Sequence, residues 1–214
     1  MRIGTWNLAG TWTSSHAQIL QVGACDVWLL TEVPADATLE GYYGHVTEHR
    51  MDPGQHWAGV FSRDRPLVMP DPHPASAAVE LGGHVFCASV LPWRSCGTDH
   101  PWVGSSQGEK TARTIEALAS ALPARRTVWG GDWNHALCGP NHGGSALGRT
   151  VITALAGTLG LKVATARLFH RTERMCSIDH VAFPERWTTN EALRIPVPDP
   201  LSDHDVYIVD VHIT

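Results

Sequence analysis

The sequence predicts an α/β sandwich of four layers, in which two packed β-sheets, mixed but mostly antiparallel, carry helices on their outer faces. Two observations lead to this prediction. Both halves of the chain contain short segments rich in β-branched and aromatic residues, bounded by Gly, Pro or Asp. Amphipathic segments with helical spacing lie among them. The 214 residues fit within one ordinary domain, so we expect a single domain over residues 1–214.

The first half is predicted to contain six strands and one helix. The strands are residues 2–8, 26–31, 42–48, 57–62, 77–81 and 84–91. The helix lies between the first two strands, at residues 14–24, where apolar residues recur at helical spacing and Ser14 or Ser15 can cap the N-terminus.

The second half repeats this alternation. Its predicted helices are residues 111–122, which Pro123 ends, and residues 146–159. Its predicted strands are residues 127–131, 177–183, 187–195 and 206–213. The segments 63–74 and 92–108 are rich in Pro and Gly and are predicted to be loops, where substrate recognition is most often found.

The charge balance limits the function classes. Sixteen Lys and Arg against 21 Asp and Glu give a net charge of −5, which argues against a protein held on nucleic acid by a broad basic face. An enzyme that meets a phosphate through a bound cation stays possible. No apolar run reaches the roughly 18 residues of a membrane span, and the first residues lack a signal-peptide pattern. The five cysteines are odd in number, without a CxxC pair, which indicates reduced thiols. We therefore expect a cytoplasmic monomer.

Acids, amides and histidines stand where predicted strands end or begin. These residues are Asn7, Glu32, Asp132, Asn134, Asp179, Asp203 and His204. Taken singly, most have an ordinary structural explanation as turn or capping residues. Asp179 is harder to explain in that way, because Asp is depleted from strands. Carboxylates gathered at one sheet edge repel one another, and a divalent cation is the usual means of neutralising them.

The order of these motifs resembles the endonuclease/exonuclease/phosphatase superfamily of metal-dependent phosphoesterases. The matching segments are Thr5-Trp6-Asn7, Thr31-Glu32, residues 57–63, Gly131-Asp132-Trp133-Asn134, Ile178-Asp179-His180 and Ser202-Asp203-His204. The Gly-Asp-x-Asn and Ser-Asp-His motifs are the specific ones, and the resemblance spans essentially the whole chain. It implies the same two-sheet fold and the hydrolysis of a phosphate ester.

The resemblance also implies roles for these residues. Glu32 and Asn7 would hold Mg²⁺ or Mn²⁺, with Asp203 completing the metal shell. Asp132 would orient or deprotonate the attacking water. Asn134 would hydrogen-bond the phosphoryl group, and His204 would contact it with its ring held in one tautomer by Asp179.

Two positions depart from the family pattern. Many members carry a His or Tyr that protonates the leaving group where this chain has Val90, and Thr31 replaces the usual Gln. A metal-bound water or a loop group, among them Arg94, His100 or Lys110, would then have to supply the proton. The further candidates for substrate contact are Trp93, Trp102 and His142, the tryptophans by stacking on a base.

The function that follows is that of a Mg²⁺- or Mn²⁺-dependent phosphoesterase. Hydrolysis of phosphodiester bonds, by a nuclease or a small-substrate phosphodiesterase, is the first hypothesis. A phosphomonoesterase acting on a phosphorylated metabolite or lipid headgroup is the second, and a catalytically silent binding module of the same fold is a third. The expected partner is nucleic acid or a small phosphate ester. The compact chain and its negative charge argue against tight, processive binding to DNA.

Overall fold

The structure, a computed structural model, describes residues 1–98, 100–139 and 143–214. The helices are α1 (Ser14–Gly23), α2 (Gln107–Ala121) and α3 (Ala146–Leu159). The strands are β1 (Arg2–Asn7), β2 (Val27–Pro34), β3 (Tyr43–Val46), β4 (Arg50–Asp52), β5 (Gln55–Ser62), β6 (Leu67–Val68), β7 (Ser76–Leu81), β8 (His84–Ser89), β9 (Thr127–Asp132), β10 (Leu161–Val163), β11 (Asp179–Pro184), β12 (Thr188–Ile195) and β13 (Val206–His212).

The strands form two sheets. The first has the order β12-β13-β1-β2-β5-β3, with β4 also paired to β5, and the second has the order β10-β11-β9-β8-β7-β6. Among the described strands, β1–β2 and β8–β9 pair in parallel, whereas the remaining pairs are antiparallel. The predicted mixed, mostly antiparallel sheets are confirmed.

The core explains why β2 is a continuous apolar run. Val27 and Leu29 point between the two sheets, where they join Phe86 of β8. Trp28 and Leu30 point to the other face, where they join Leu20 of α1. A strand buried on both faces has no polar alternation, because successive side chains point to opposite apolar layers.

The second sheet is covered on its outer face by two helices. Leu118 of α2 and Leu155 of α3 pack with Trp129 and Cys87 of that sheet. The four layers are therefore α1, the first sheet, the second sheet, and the pair α2 and α3, as the sequence predicts. Within the described part of the chain, no helix has both the length and the apolar character that a membrane span requires.

Several element boundaries differ from the prediction. Helix α2 begins at Gln107 and not at residue 111, because Ser106 caps it by accepting a hydrogen bond from the Glu109 amide at 3.2 Å. The strand at residues 84–91 ends at Ser89. Strands β4, β6 and β10 have only two or three residues, too few to show a period in the sequence. The predicted loop at residues 63–74 contains β6.

Candidate active site

Asn7 connects the two sheets at one end of the sandwich. Its side-chain amide nitrogen donates to Glu32 Oε1 at 2.9 Å and to Asp132 Oδ2 at 3.0 Å. Glu32 belongs to the first sheet and Asp132 to the second. The oxygen of the same amide accepts from the Ala9 backbone N–H at 2.9 Å, which fixes the amide orientation and turns its N–H groups toward the carboxylates. Asn7 thus holds the two acids at a set separation.

Glu32 lies on β2 with φ of +50°, a left-handed conformation that is uncommon outside glycine. Its second carboxylate oxygen accepts from Gln55 Nε2 at 3.2 Å. Burial raises the pKa of Glu32, and the nearby Asp132 charge raises it further, while the hydrogen bond from Asn7 lowers it. Backbone strain held by surrounding contacts is typical of functional positions.

Asp132 and Asp179 flank a histidine. The two acids lie opposite each other on the antiparallel strands β9 and β11. His204 Nδ1 is 2.8 Å from Asp179 Oδ2, and His204 Nε2 is 3.8 Å from Asp132 Oδ2. The second distance exceeds that of a hydrogen bond, so Nε2 is free to face a ligand while Asp179 holds Nδ1.

Ser202 fastens His204 to the first strand. The Ser202 hydroxyl donates to the Asn7 carbonyl at 2.7 Å and accepts from the His204 backbone N–H at 3.0 Å. The Trp6 indole N–H also donates to the His204 carbonyl at 3.2 Å. Asp203, which lies between Ser202 and His204 in the sequence, is not buried. Its side chain is 84% exposed, and its Oδ1 lies 3.9 Å from His204 Nε2. Asp203 therefore stands at the mouth of the site.

Asp132, Asp179 and His204 form a buried cluster of ionisable groups. Burial lowers the pKa of His204, but Asp179 and Asp132 outweigh burial and raise it to about 10. Burial raises the pKa of Asp132 to about 6 and also raises that of Asp179, with the His204 charge opposing both. Near neutral pH the raised pKa of His204 therefore keeps its ring in the imidazolium form beside the two acids.

The donor set suits a divalent cation. Asp132, Asp179 and His204 each place one atom within 4.8 Å of the others, and because a protonated His204 ring has no lone pair for a cation, the carboxylates are the ligands in this group. With Glu32 added, three acids face one imidazolium, and Asp179 Oδ1 is buried without a hydrogen-bond partner among the described residues. Oxygen ligands and uncompensated negative charge fit a hard cation such as Mg²⁺ or Mn²⁺.

Asp132 is presented by a tight turn. Gly131 has φ of +119°, and a Cβ atom there would lie 2.2 Å from the Ser89 carbonyl oxygen, so only glycine fits. Asn134, with φ of +52°, donates its backbone N–H to Asp132 Oδ1 at 2.9 Å and its side-chain amide to the Leu91 carbonyl at 3.0 Å. Trp133 between them is fully buried and stacks on Trp129 at 3.9 Å.

The predicted substrate-binding residues lie in a different setting. Trp93 is half-buried and packs 6.3 Å from Trp57 and 6.4 Å from Trp102, centroid to centroid. Arg94 and His100 are exposed, and the His100 ring lies 5.2 Å from that of His49. No described contact joins Arg94, His100 or Trp93 to Asp132 or His204. His142 lies outside the described residues.

The described contacts of Val90 and Lys110 support the protein structure and do not reach the site. Val90 is buried with Trp57, Ala75 and Trp102, so it offers no proton donor to the site. Lys110 is buried, and its ammonium donates to the Cys96 and Gly97 carbonyls at 2.8 and 2.7 Å. Lys110 thus fixes the loop that carries Trp93 and Arg94.

His170 lies beside His204 although no sequence pattern predicts it there. Its half-buried ring lies 6.1 Å from the His204 ring in an edge-to-face arrangement. Burial and the His204 charge lower the pKa of His170, so it is neutral near pH 7. The residue follows no ligand spacing in the sequence. It reaches the site because Arg171 donates to the Ser202 carbonyl and ties the loop before β11 to the Ser-Asp-His segment.

The fold is similar to that of several solved structures. An AP endonuclease from Archaeoglobus fulgidus superposes with a TM-score of 0.73 at 16% identity, over 100% of both chains. An endonuclease/exonuclease/phosphatase from Beutenbergia cavernae gives 0.68 at 17% identity, over 100% of this chain and 71% of that one. AP endonuclease LMAP from Leishmania major gives 0.65 at 13% identity, over 97% and 86%.

At these identities the likeness establishes the shared fold alone. Among curated protein sequences no match was found. The sequence model of the Endonuclease/Exonuclease/phosphatase family matches residues 4–204, a range that contains every residue of the site from Asn7 to His204. The chain therefore belongs to the Endonuclease/Exonuclease/phosphatase family.

Proposed function

We propose that the protein is a Mg²⁺- or Mn²⁺-dependent phosphodiesterase that cleaves nucleic acid or a small phosphodiester. The observation that carries this proposal is the position of His204. Asp179 holds one ring nitrogen at 2.8 Å, and the other ring nitrogen is unbonded 3.8 Å from Asp132. A fixed imidazolium beside an ionised acid suits the in-line attack of water on a phosphate ester.

Glu32 would hold the cation, with Asp203 at the mouth of the site and Asn7 keeping the Glu32 carboxylate in place. When bound, the cation would neutralise charge on the phosphoryl oxygens and lower the pKa of a bound water. Support comes from the excess of buried acids over imidazolium and from the two amide donors, Asn7 and Gln55, that orient the Glu32 oxygens.

Asp132 would act as the general base. Its Oδ1 accepts from the Asn134 backbone and its Oδ2 from Asn7, so the carboxylate cannot rotate away from the site. With a pKa of about 6, it is ionised at neutral pH and basic enough to take a proton from water.

His204 would stabilise the charge that develops on the phosphoryl oxygens. Its raised pKa keeps both ring nitrogens protonated, and Asp179 accepts a hydrogen bond from the Nδ1–H group. The Nε2–H group is then left to donate to a phosphoryl oxygen, which makes the interaction stronger in the transition state than in the ground state. Asp179 is a positioning residue in this scheme.

His170 would contact the leaving-group side of the substrate. Val90 supplies no acid there, whereas His170 is an imidazole in ring contact with His204. Its lowered pKa leaves a neutral ring, which can hydrogen-bond an ester oxygen from its N–H side.

Two substrate classes are candidates, a phosphodiester and a phosphomonoester. Two of the structural neighbours are AP endonucleases, which supports phosphodiester cleavage in nucleic acid. The net charge of −5 supports a small phosphate ester instead, because it provides little attraction to a polyanion. We place the diesterase first and a phosphomonoesterase second, and we propose that the protein works as a cytoplasmic monomer.

The test is an assay of purified protein with Mg²⁺, Mn²⁺ or chelator. The substrates are plasmid DNA, a single-stranded oligonucleotide, bis-p-nitrophenyl phosphate and p-nitrophenyl phosphate. The His204→Ala variant, prepared in parallel, controls for contaminating nuclease. Metal-dependent cleavage of diesters supports the first candidate, and cleavage of the monoester alone supports the second. Equal activity of wild type and variant, or none with either cation, overturns the proposal.

A further inference from the structure

We infer that Cys138 and Cys176 are a redox-sensitive pair that forms a disulfide between the two loops flanking the site. Their sulfur atoms lie 2.7 Å apart although the residues are separated by 38 positions. Both thiols are only partly buried. The distance in a disulfide is about 2.05 Å, so the bond would form with a movement of less than about 1 Å.

Each cysteine is placed by its own loop. Cys138 follows the turn that carries Asp132 and Asn134, and its thiol donates to the Ala166 carbonyl at 2.8 Å. Cys176 lies three residues before Asp179, in a segment that forms an isolated bridge with Phe169. The pair therefore joins the loop that follows β9 to the loop that precedes β11.

The other three cysteines are excluded by their surroundings. Cys25 packs beneath α1, Cys87 lies under α2 and α3, and Cys96 lies among the tryptophans near Val90. These three are buried in separate apolar clusters. A disulfide requires two thiols within bonding reach and open to an oxidant, and among the five cysteines this applies to Cys138 and Cys176.

The reaction needs a small-molecule disulfide as oxidant. One of the two thiols, as its thiolate, attacks a sulfur of the small disulfide, forms a mixed disulfide and releases one small thiol. The other thiolate then attacks the protein sulfur of that mixed disulfide, closes the Cys138–Cys176 bond and releases the second small thiol. Two protein thiols are oxidised and one small disulfide is reduced to two thiols.

The disulfide would crosslink the loop that follows β9 to the loop that precedes β11, beside the site. Because the sulfurs already touch, oxidation leaves the opposed pair Asp132 and Asp179 in place. The crosslink removes freedom from the unfolded chain, which raises stability when native geometry is undisturbed. We therefore infer that oxidation stabilises the fold and does not switch the site off.

The test begins with folded, fully reduced protein incubated with oxidised glutathione and then denatured. We expect the count of free thiols to fall from five to three and a non-reduced digest to contain one crosslinked peptide joining Cys138 to Cys176. The melting temperature should be higher in the oxidised than in the reduced wild type. Cys138→Ser and Cys176→Ser should each lose the crosslink and the rise in melting temperature, whereas Cys96→Ser should retain both.

Three results would overturn the inference. One is a thiol count that stays at five. Another is glutathione retained on Cys138 or Cys176 without an internal crosslink. The third is a crosslink that involves any other cysteine. The thiol count, the crosslinked peptide and the melting temperature do not require hydrolytic activity. The test is therefore valid for an inactive protein, and the proposed hydrolytic function is tested separately.

Discussion

Asp132 and Asp179 face each other across the antiparallel strands β9 and β11, both almost fully buried. Two acids so placed would repel each other if nothing positive were near. The structure places His204 beside both, with 2.8 Å to one and 3.8 Å to the other. The opposed acids therefore raise the pKa of His204 and keep its ring charged near neutral pH.

Replacing Asp179 by Asn should preserve the fold and reduce turnover. The imidazole would lose the carboxylate that holds its Nδ1 proton, and loss of such a partner costs about 10–100-fold or more. Turnover and thermal unfolding are measured together, with the exposed Asp64→Asn as the matched control. A variant with full activity would make Asp179 a structural strand residue.

The stability of the cation-free protein should fall as pH rises from about 7 to 10. The ordinary pKa of His is about 6.5, and the folded value for His204 is about 10. A raised pKa means that the folded state binds the proton more tightly. The stabilisation is complete below the unfolded pKa and is lost as pH rises through the folded pKa.

Urea unfolding in chelator at several pH values measures this loss. The His204→Gln variant should show a shallower decline between pH 7 and 10, because glutamine does not titrate. A decline of equal slope in both proteins would show that other groups dominate the alkaline loss of stability.

Replacing Glu32 by Gln should weaken Mg²⁺ and Mn²⁺ binding more than replacing Asp203 by Asn. Glu32 is held by two amide donors, whereas Asp203 is 84% exposed and is free to move. We expect the rise in melting temperature that a cation gives the wild type to be lost in Glu32→Gln and reduced in Asp203→Asn. The reverse order would move the proposed metal site away from Glu32.

Replacing His170 by Ala should slow esters with poor leaving groups more than activated aryl esters. Help to a leaving group is worth about 10²–10⁴-fold when a proton is fully transferred, and a neutral hydrogen bond should give the lower end or less. His100→Ala is the control, since no described contact brings His100 to the site. A leaving-group series that steepens in His100→Ala and not in His170→Ala would reverse the assignment.

Replacing Gly131 by Ala should destabilise the protein strongly. The new Cβ would lie 2.2 Å from the Ser89 carbonyl oxygen at a φ of +119°, and backbone strain alone costs about 1–3 kcal/mol. Gly82→Ala is the matched control, because Gly82 also has a positive φ of +56° but meets nothing within 4 Å. Equal losses in urea unfolding would show that the turn relaxes around the methyl group.

The sequence predicts the long elements of this fold because their patterns are local. Strand β2 is recognised by its run of large apolar residues and α3 by its spacing. Helix α2 begins earlier than predicted because its cap, Ser106, lies in a segment that otherwise has the composition of a loop. The two-residue β6 is defined by its pairing with β7, which no local pattern encodes.

The site residues that stand in local sequence motifs are predictable, whereas a residue placed by the folding of a loop is not. Asn7, Asp132 and His204 stand in motifs that match a family, and the structure brings them together. His170 stands in no motif, because its place depends on how its loop folds back onto the Ser-Asp-His segment. His100 is the opposite case. Its loop position predicts substrate contact, but no described contact joins it to the site.

The bond from Ser202 to Asn7 spans 195 positions of the chain, and Asn7 in turn holds an acid of each sheet. A fragment that ends before residue 202 lacks both Ser202 and His204, so this hydrogen bond and the site it supports cannot form in it. During synthesis, the hydrolytic centre can therefore form only after the segment around residue 202 has left the ribosome and both sheets have closed on each other. A chain in which residues 202–204 are unfolded therefore leaves Asp132 and Asp179 without the imidazolium that lies beside them in the folded protein.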